Sequence, residues 1–160
     1  MENQLVVFDL ANEHYGVDIG AVDRIIELQA ITAVPHAPEF VEGITNLRGM
    51  VLPVVDLRQR FSLPTGDATK ESRIIVVELD SAKAGMMVDA VTEVLYVPEE
   101  NVEPPSPLMT TVDSSFITGI AKVDERLIIL LDLDKVLSPT EQASLKSLQF
   151  DEEESPPAEE

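Results

Sequence analysis

Residues 46 to 61, NLRGMVLPVVDLRQRF, combine a turn signal, an apolar run and a charged exit within sixteen positions. Gly49 reaches positive φ without steric cost, and Asn46 at a turn start can hydrogen-bond its own backbone, so the pair suits a tight turn that offers Arg48 to solvent. The Val- and Leu-rich run Met50 to Leu57 then reads as a strand. Pro53 has no amide hydrogen for a ladder, which suggests a sheet edge or a bulge at that point.

The rest of the chain repeats this unit. Shifted by 69 positions, LVVFDL at 5–10 lies over IIVVEL at 74–79, Gly16 over Gly85, and AVDRII at 21–26 over AVTEVL at 90–95. Shifted by 76, FVEGI at 40–44 lies over FITGI at 116–120, and MVLPVVDL at 50–57 over RLIILLDL at 126–133. The seven-residue difference falls in the proline-rich stretch 97–115, an irregular surface connection because proline removes amide donors. Two similar all-β units follow, halves of about 3–61 and 73–137 joined by the polar linker SLPTGDATKES at 62–72. Short strands punctuated by Gly and Pro favour small barrels over parallel α/β units.

After the second long strand, Asp132 and Asp134 are placed to cap a short helical turn over 135–137. Ser138, Pro139 and Glu141 form a capping box with proline at the first helical position, predicting a C-terminal helix over 139–148. The acidic segment DEEESPPAEE at 151–160 has too little apolar surface to offset the entropy of ordering and reads as a disordered tail.

The composition limits the functional classes. With 44% hydrophobic residues in 160, the chain can bury a substantial core. It has no cysteine, so neither disulfides nor a thiolate zinc site is available. Thirty acidic residues against eleven basic give a net charge of −19, and without the tail's six carboxylates 24 acids still face the 11 bases. Such a body repels phosphate backbones and anionic membranes, so nucleic acid is not an expected partner. The longest apolar run, Leu127 to Leu131, is far short of the ~20 residues that span a bilayer. The N-terminal residues carry no basic segment followed by an apolar stretch, so no secretory signal is expected there.

No phosphate loop, dinucleotide fingerprint or nucleophile elbow is present, and TGDATK at 65–70 lacks the phosphate loop's second glycine followed by Lys and Ser or Thr. His14 and His36 are too few for a three-histidine zinc site. Asp132 and Asp134 could hold Mg²⁺ in a small metal-dependent β-barrel enzyme, but their first-half equivalents, Asp56 and Arg58, point to a strand-to-helix exit with an aspartate cap. Surface chemistry remains. Arg48 stands where the second half has Asp124, either as a turn residue pairing with a neighbouring carboxylate or as a docking residue; Val22, in AVDRII, reads by type as core.

The segments NLRGMVLPVVDLR (46–58), YGVDIGAVDRII (15–26), FVEGI (40–44), GMMVDAVTEVL (85–95) and TGIAKVDERLIILLDLDKVL (118–137) resemble the CheW family of bacterial chemotaxis coupling proteins, over about residues 3–148. The resemblance implies a fold of two intertwined five-stranded SH3-like barrels sharing a hydrophobic core, with no catalysis and no cofactor. It implies a cytoplasmic adaptor that couples the tips of chemoreceptors to the regulatory domain of the histidine kinase CheA, recruited to membrane-associated arrays without inserting into the membrane. A coupling protein of an array controlling type IV pilus motility would share every motif. By position, Arg48 and Val22 match family residues of the receptor- and kinase-coupling surface. Arg24, on the same segment, departs from the acidic residue the family often carries there.

Overall fold

The strand-forming stretches come in pairs 69 or 76 residues apart, and each pair occupies equivalent places in two different sheets. A computed structural model describes residues 3–35, 37, 40–61, 63, 69–79, 83–104, 116–137 and 141. The first half supplies β1 (Asn3–Leu10), β2 (Glu13–Asp18), β3 (Val22–Glu27), β4 (Val41–Leu47), β5 (Met50–Asp56) and the single helical turn α1 (Leu57–Arg60). The second supplies β6 (Arg73–Glu78), β7 (Lys83–Val88), β8 (Ala90–Val97), β9 (Val102–Glu103), β10 (Ile117–Val123), β11 (Arg126–Leu131) and α2 (Leu133–Val136).

One sheet has the order β3-β6-β7-β5-β4 and the other β8-β1-β2-β11-β10-β9. Exchanging each first-half strand for its second-half counterpart converts the first order into the second, apart from the added β9. Each half therefore lends its first hairpin to the other's sheet, and the halves are intertwined. The expected pair of five-stranded barrels is present, with the two-residue β9 as a sixth strand on β10. The repeat persists in the detail of the ladders. Parallel β5–β7 sets Val54 against Gly85, and parallel β11–β2 sets Leu130 against Gly16. The bulges of the β3–β6 and β1–β8 ladders leave Asp23 and Thr92, 69 residues apart, as the extra residues.

Burial on both faces explains the runs of Val, Ile and Leu in β1 and β6. Leu5 and Val7 face a barrel interior with Val97, Ala121, Ile128 and Leu130, while Val6, Phe8 and Leu10 face a core shared by both halves. In β6, Ile74 and Val76 join Leu52 and Val54 inside the other barrel, and Ile75 and Val77 reach the shared core. A row of rings, Phe8, Tyr15, Phe61 and Phe116, runs through that shared core with successive centroids 5.9, 6.0 and 4.8 Å apart. Burial, aided by Glu13, raises the Tyr15 phenol's pKa above its ordinary value.

Three local expectations are refined. Pro53 lies neither on an edge strand nor in a bulge, since β5 runs between β4 and β7 with Pro53 opposite Ile44. The ladder toward β7 begins only at Val54, so proline occupies the last position before the second neighbour pairs. The turn expected at 135–137 is the helix Leu133–Val136. Asp132, still extended at φ −102° and ψ 106°, is its cap and receives the Asp134 amide at 3.0 Å, while Asp134 lies inside the helix. The helix expected over 139–148, apart from Glu141, and the tail 151–160 lie outside the described residues, as do His36 and most of the linker 62–72. Among the described residues, no helix is long and apolar enough to cross a membrane.

Candidate functional site

The β4–β5 hairpin closes at Leu47 and Met50, leaving Arg48 and Gly49 as its two-residue turn. Both have positive φ, 56° and 85°, as a type I′ turn needs to match the right-handed twist of its strands. The Gly49 amide donates to Asn46 Oδ1 at 2.9 Å. Leu47 and Met50, half-buried, pack against Leu52, Val54, Ile74 and Val76 and anchor the turn to the barrel. Arg48 itself is exposed and, among the described residues, joins no ion pair. The sequence reading of an exposed arginine on a tight turn is met, and its pairing with a neighbouring carboxylate is not seen.

Val22 is half-buried at the start of β3, paired with Val77 and packed on the shared core, so most of its surface serves the fold. Arg24, two positions on, lies 3.4 Å from the Asp23 carboxylate, and Lys83 approaches the same carboxylate at 3.7 Å. Ile19 and Ile25 flank this segment at 38% and 39% exposure, a modest apolar surface. Although β3 and β4 end opposite sides of their sheet, the chain after β3 curls back to close the barrel. Thr32 exchanges backbone hydrogen bonds with Ile44, and the Thr45 hydroxyl donates to the Ala30 carbonyl at 2.7 Å. Gly43 permits this closure, since a Cβ there would stand 2.3 Å from the Thr32 oxygen. In the second barrel an ion pair joins β11 to β8, Arg126 to Glu93 at 2.7 Å, where the first barrel has Met50 and Arg24. No hydrogen bond or ion pair among the described residues joins Arg48 to Val22 or Arg24.

The aspartates considered for a metal occupy a different place. A cleft of about 570 Å³ lies where β2, β6 and β11 end, lined by Asp18, Glu78, Asp132 and Asp134 among apolar neighbours. Asp132 is committed to capping α2, and Asp18 accepts from the Gly20 amide at 2.8 Å. No group of three or more His, Asp or Glu residues among those described is arranged to hold a metal ion.

At the position related to this cleft by the repeat, the joint is closed. The Arg58 guanidinium donates from Nε to Asp89 Oδ1 at 2.8 Å and from Nη2 to Oδ2 at 2.6 Å, and Asp89 Oδ2 also accepts from the Ala11 amide at 2.8 Å. Burial pushes the Asp89 carboxyl up, but the hydrogen bonds from Arg58 and Ala11 and the nearby positive charge outweigh it and hold its pKa below the ordinary value. This pair was not read from the sequence. The 69- and 76-residue shifts carried the signal, because they set Asp89 over Gly20 and Arg58 over Asp134.

Comparison with protein-family models matches residues 4–141 to the CheW-like domain. The chain is 34% identical over 140 residues to the chemotaxis protein CheW of Klebsiella aerogenes, covering 88% of this chain and 84% of that one. It is also 34% identical over 135 residues to chemotaxis protein CheW of Bacillus subtilis, covering 84% and 86% of the two chains. Among solved structures it resembles the scaffolding protein TtCheW from Thermoanaerobacter tengcongensis, with a TM-score of 0.79 and 46% identity over 86% of this chain and 89% of that one. The repeated barrels, the exchanged hairpins and the NLRG turn are thus found in a chain that belongs to the CheW-like domain family.

Proposed function

We propose that this CheW-family chain is a non-enzymatic cytoplasmic adaptor of bacterial chemotaxis that couples the tips of chemoreceptors to the histidine kinase CheA. Its family and the scaffold structure it resembles support this reading. The observation that carries the site is Arg48, a guanidinium held out on a rigid turn of a strongly acidic chain. Val22 and Arg24 on β3 belong to the same coupling surface in this reading. Val22 contributes the small exposed part of an otherwise core-packed side chain, and Arg24 sets the local charge.

The adaptor acts by position. Two barrels with one shared core form a stiff body, so a partner held on one face keeps a fixed orientation to a partner held on the other. A receptor rearrangement then changes kinase activity only through contacts that differ between the two receptor states.

Arg48→Glu tests the site. Replacing an interface arginine by the opposite charge lowers affinity by about thirtyfold or more, as for a hot-spot residue, and leaves the fold intact because the side chain is exposed. Co-sedimentation with receptor-bearing membranes and kinase reads the loss, and unchanged recovery of both partners removes Arg48 from the site.

A further inference from the structure

Asn46 is exposed and packs nothing into the core, yet its carboxamide reaches across the turn to the Gly49 amide. Arg48, between them, sits in the left-handed region at φ 56°, which an L side chain occupies only where the surroundings hold it. The equivalent turn of the second half has the same strain, Asp124 at φ 57°, but Lys122 and Glu125 stand in place of Asn46 and Gly49. A left-handed residue therefore stands first in both turns, but only the arginine-bearing turn continues it at the next position, through Gly49, and only that turn has the side-chain clamp.

We infer that Asn46 is the positioning residue of the coupling site, fixing the turn so that the Arg48 guanidinium presents its fork to a carboxylate on the partner. This rests on the reading of Arg48 given above. The carboxylate follows from the chemistry of the tip. A planar cation meets a carboxylate through two parallel hydrogen bonds, and Arg48 has no such partner among the described residues of its own chain, although 30 acids are available against 11 bases. A pre-fixed turn spares the complex the ordering of that side chain's base, so the clamp acts on affinity rather than on folding.

Four variants in the same co-sedimentation assay, with receptor-bearing membranes and full-length kinase, test this. Asn46→Ala lowers affinity roughly fivefold, the worth of one hydrogen bond, with the thermal midpoint unchanged and the Gly49 amide exchanging faster by NMR. Asn46→Asp, whose carboxylate oxygen can accept the same bond, restores both the affinity and the slow exchange. Arg48→Lys keeps the charge, loses the fork, and binds more weakly than wild type. Arg48→Glu separates the layers: at wild-type affinity it overturns the site and the clamp together. If Arg48→Glu is impaired while Asn46→Ala binds as wild type, or if Asn46→Asp is as weak as Asn46→Ala, Asn46 is not a positioning residue. Wild-type affinity in Arg48→Lys overturns the two-bond fork to the carboxylate.

Discussion

The two halves keep the same strand framework and differ where their strands end. At one joint between the barrels Arg58 grips Asp89 with two hydrogen bonds, while at the equivalent joint Asp134 and Gly20 leave an acidic cleft of about 570 Å³. At one hairpin tip stands Arg48 and at the other Asp124, with φ angles one degree apart. Apolar positions are constrained by packing on both faces of the strands and so stay alike; charges at strand ends touch little and are free to diverge. The halves share their architecture in the interior, and whatever distinguishes two partners must be written at the ends.

The first way to break this equivalence is in the barrel closures, where the largest effect is expected. Gly43 and Gly119 sit at matched bulges of β4 and β10. A Cβ on Gly43 would stand 2.3 Å from the Thr32 carbonyl oxygen, whereas one on Gly119 would meet the Glu103 oxygen at 3.0 Å. The first clash is with a backbone held by two hydrogen bonds and cannot relax locally. Gly43→Ala should cost about 3 kcal/mol, the upper end for overpacking, and Gly119→Ala about 1 kcal/mol. Urea unfolding of the two variants measures the difference, and equal losses would mean that both closures yield alike.

That contrast also marks what the sequence could disclose. Turn chemistry is local, so Asn46, Arg48 and Gly49 were legible, as was the cap at Asp132, three positions or fewer from what it bonds. The duplication was legible because Gly16 and Gly85, and the paired strands around them, keep one spacing. The exchange of hairpins was legible only through the family resemblance, which implied intertwined barrels, since β1–β2 shows the same alternation whether it joins its own half or the other. Pro53 misled because its effect depends on where the β7 ladder begins, a tertiary fact. Arg58 and Asp89, 31 residues apart, carry no local signal at all; only the different residues at their repeat positions, Asp134 and Gly20, single them out.

The joints give the second test. Removing Arg58 leaves a partly buried carboxylate with one donor in place of three, so Arg58→Ala should cost about 1.5–3 kcal/mol, the range for hydrogen bonds to charged groups. Asp134 is exposed within α2, and Asp134→Ala should stay within about 0.5 kcal/mol. Chemical denaturation of both variants at neutral pH decides whether only one joint is locked.

The smallest effect is the pH dependence of that lock, and its sign follows from Asp89. Its carboxyl is held below the ordinary 3.8 in the folded protein, chiefly because Arg58 and Ala11 outweigh the burial that would raise it. A carboxyl depressed by folding contributes stability above its unfolded value and loses that contribution as pH falls through the folded one. The advantage of wild type over Arg58→Ala should therefore be full near neutrality and shrink below about pH 4, because a protonated Asp89 no longer needs the guanidinium. Differences between the two proteins cancel the many exposed carboxylates that titrate in both. A gap that stays constant to pH 3 would show that Arg58 acts through packing of its stem, and the charge difference between the two joints would then be incidental to their stability.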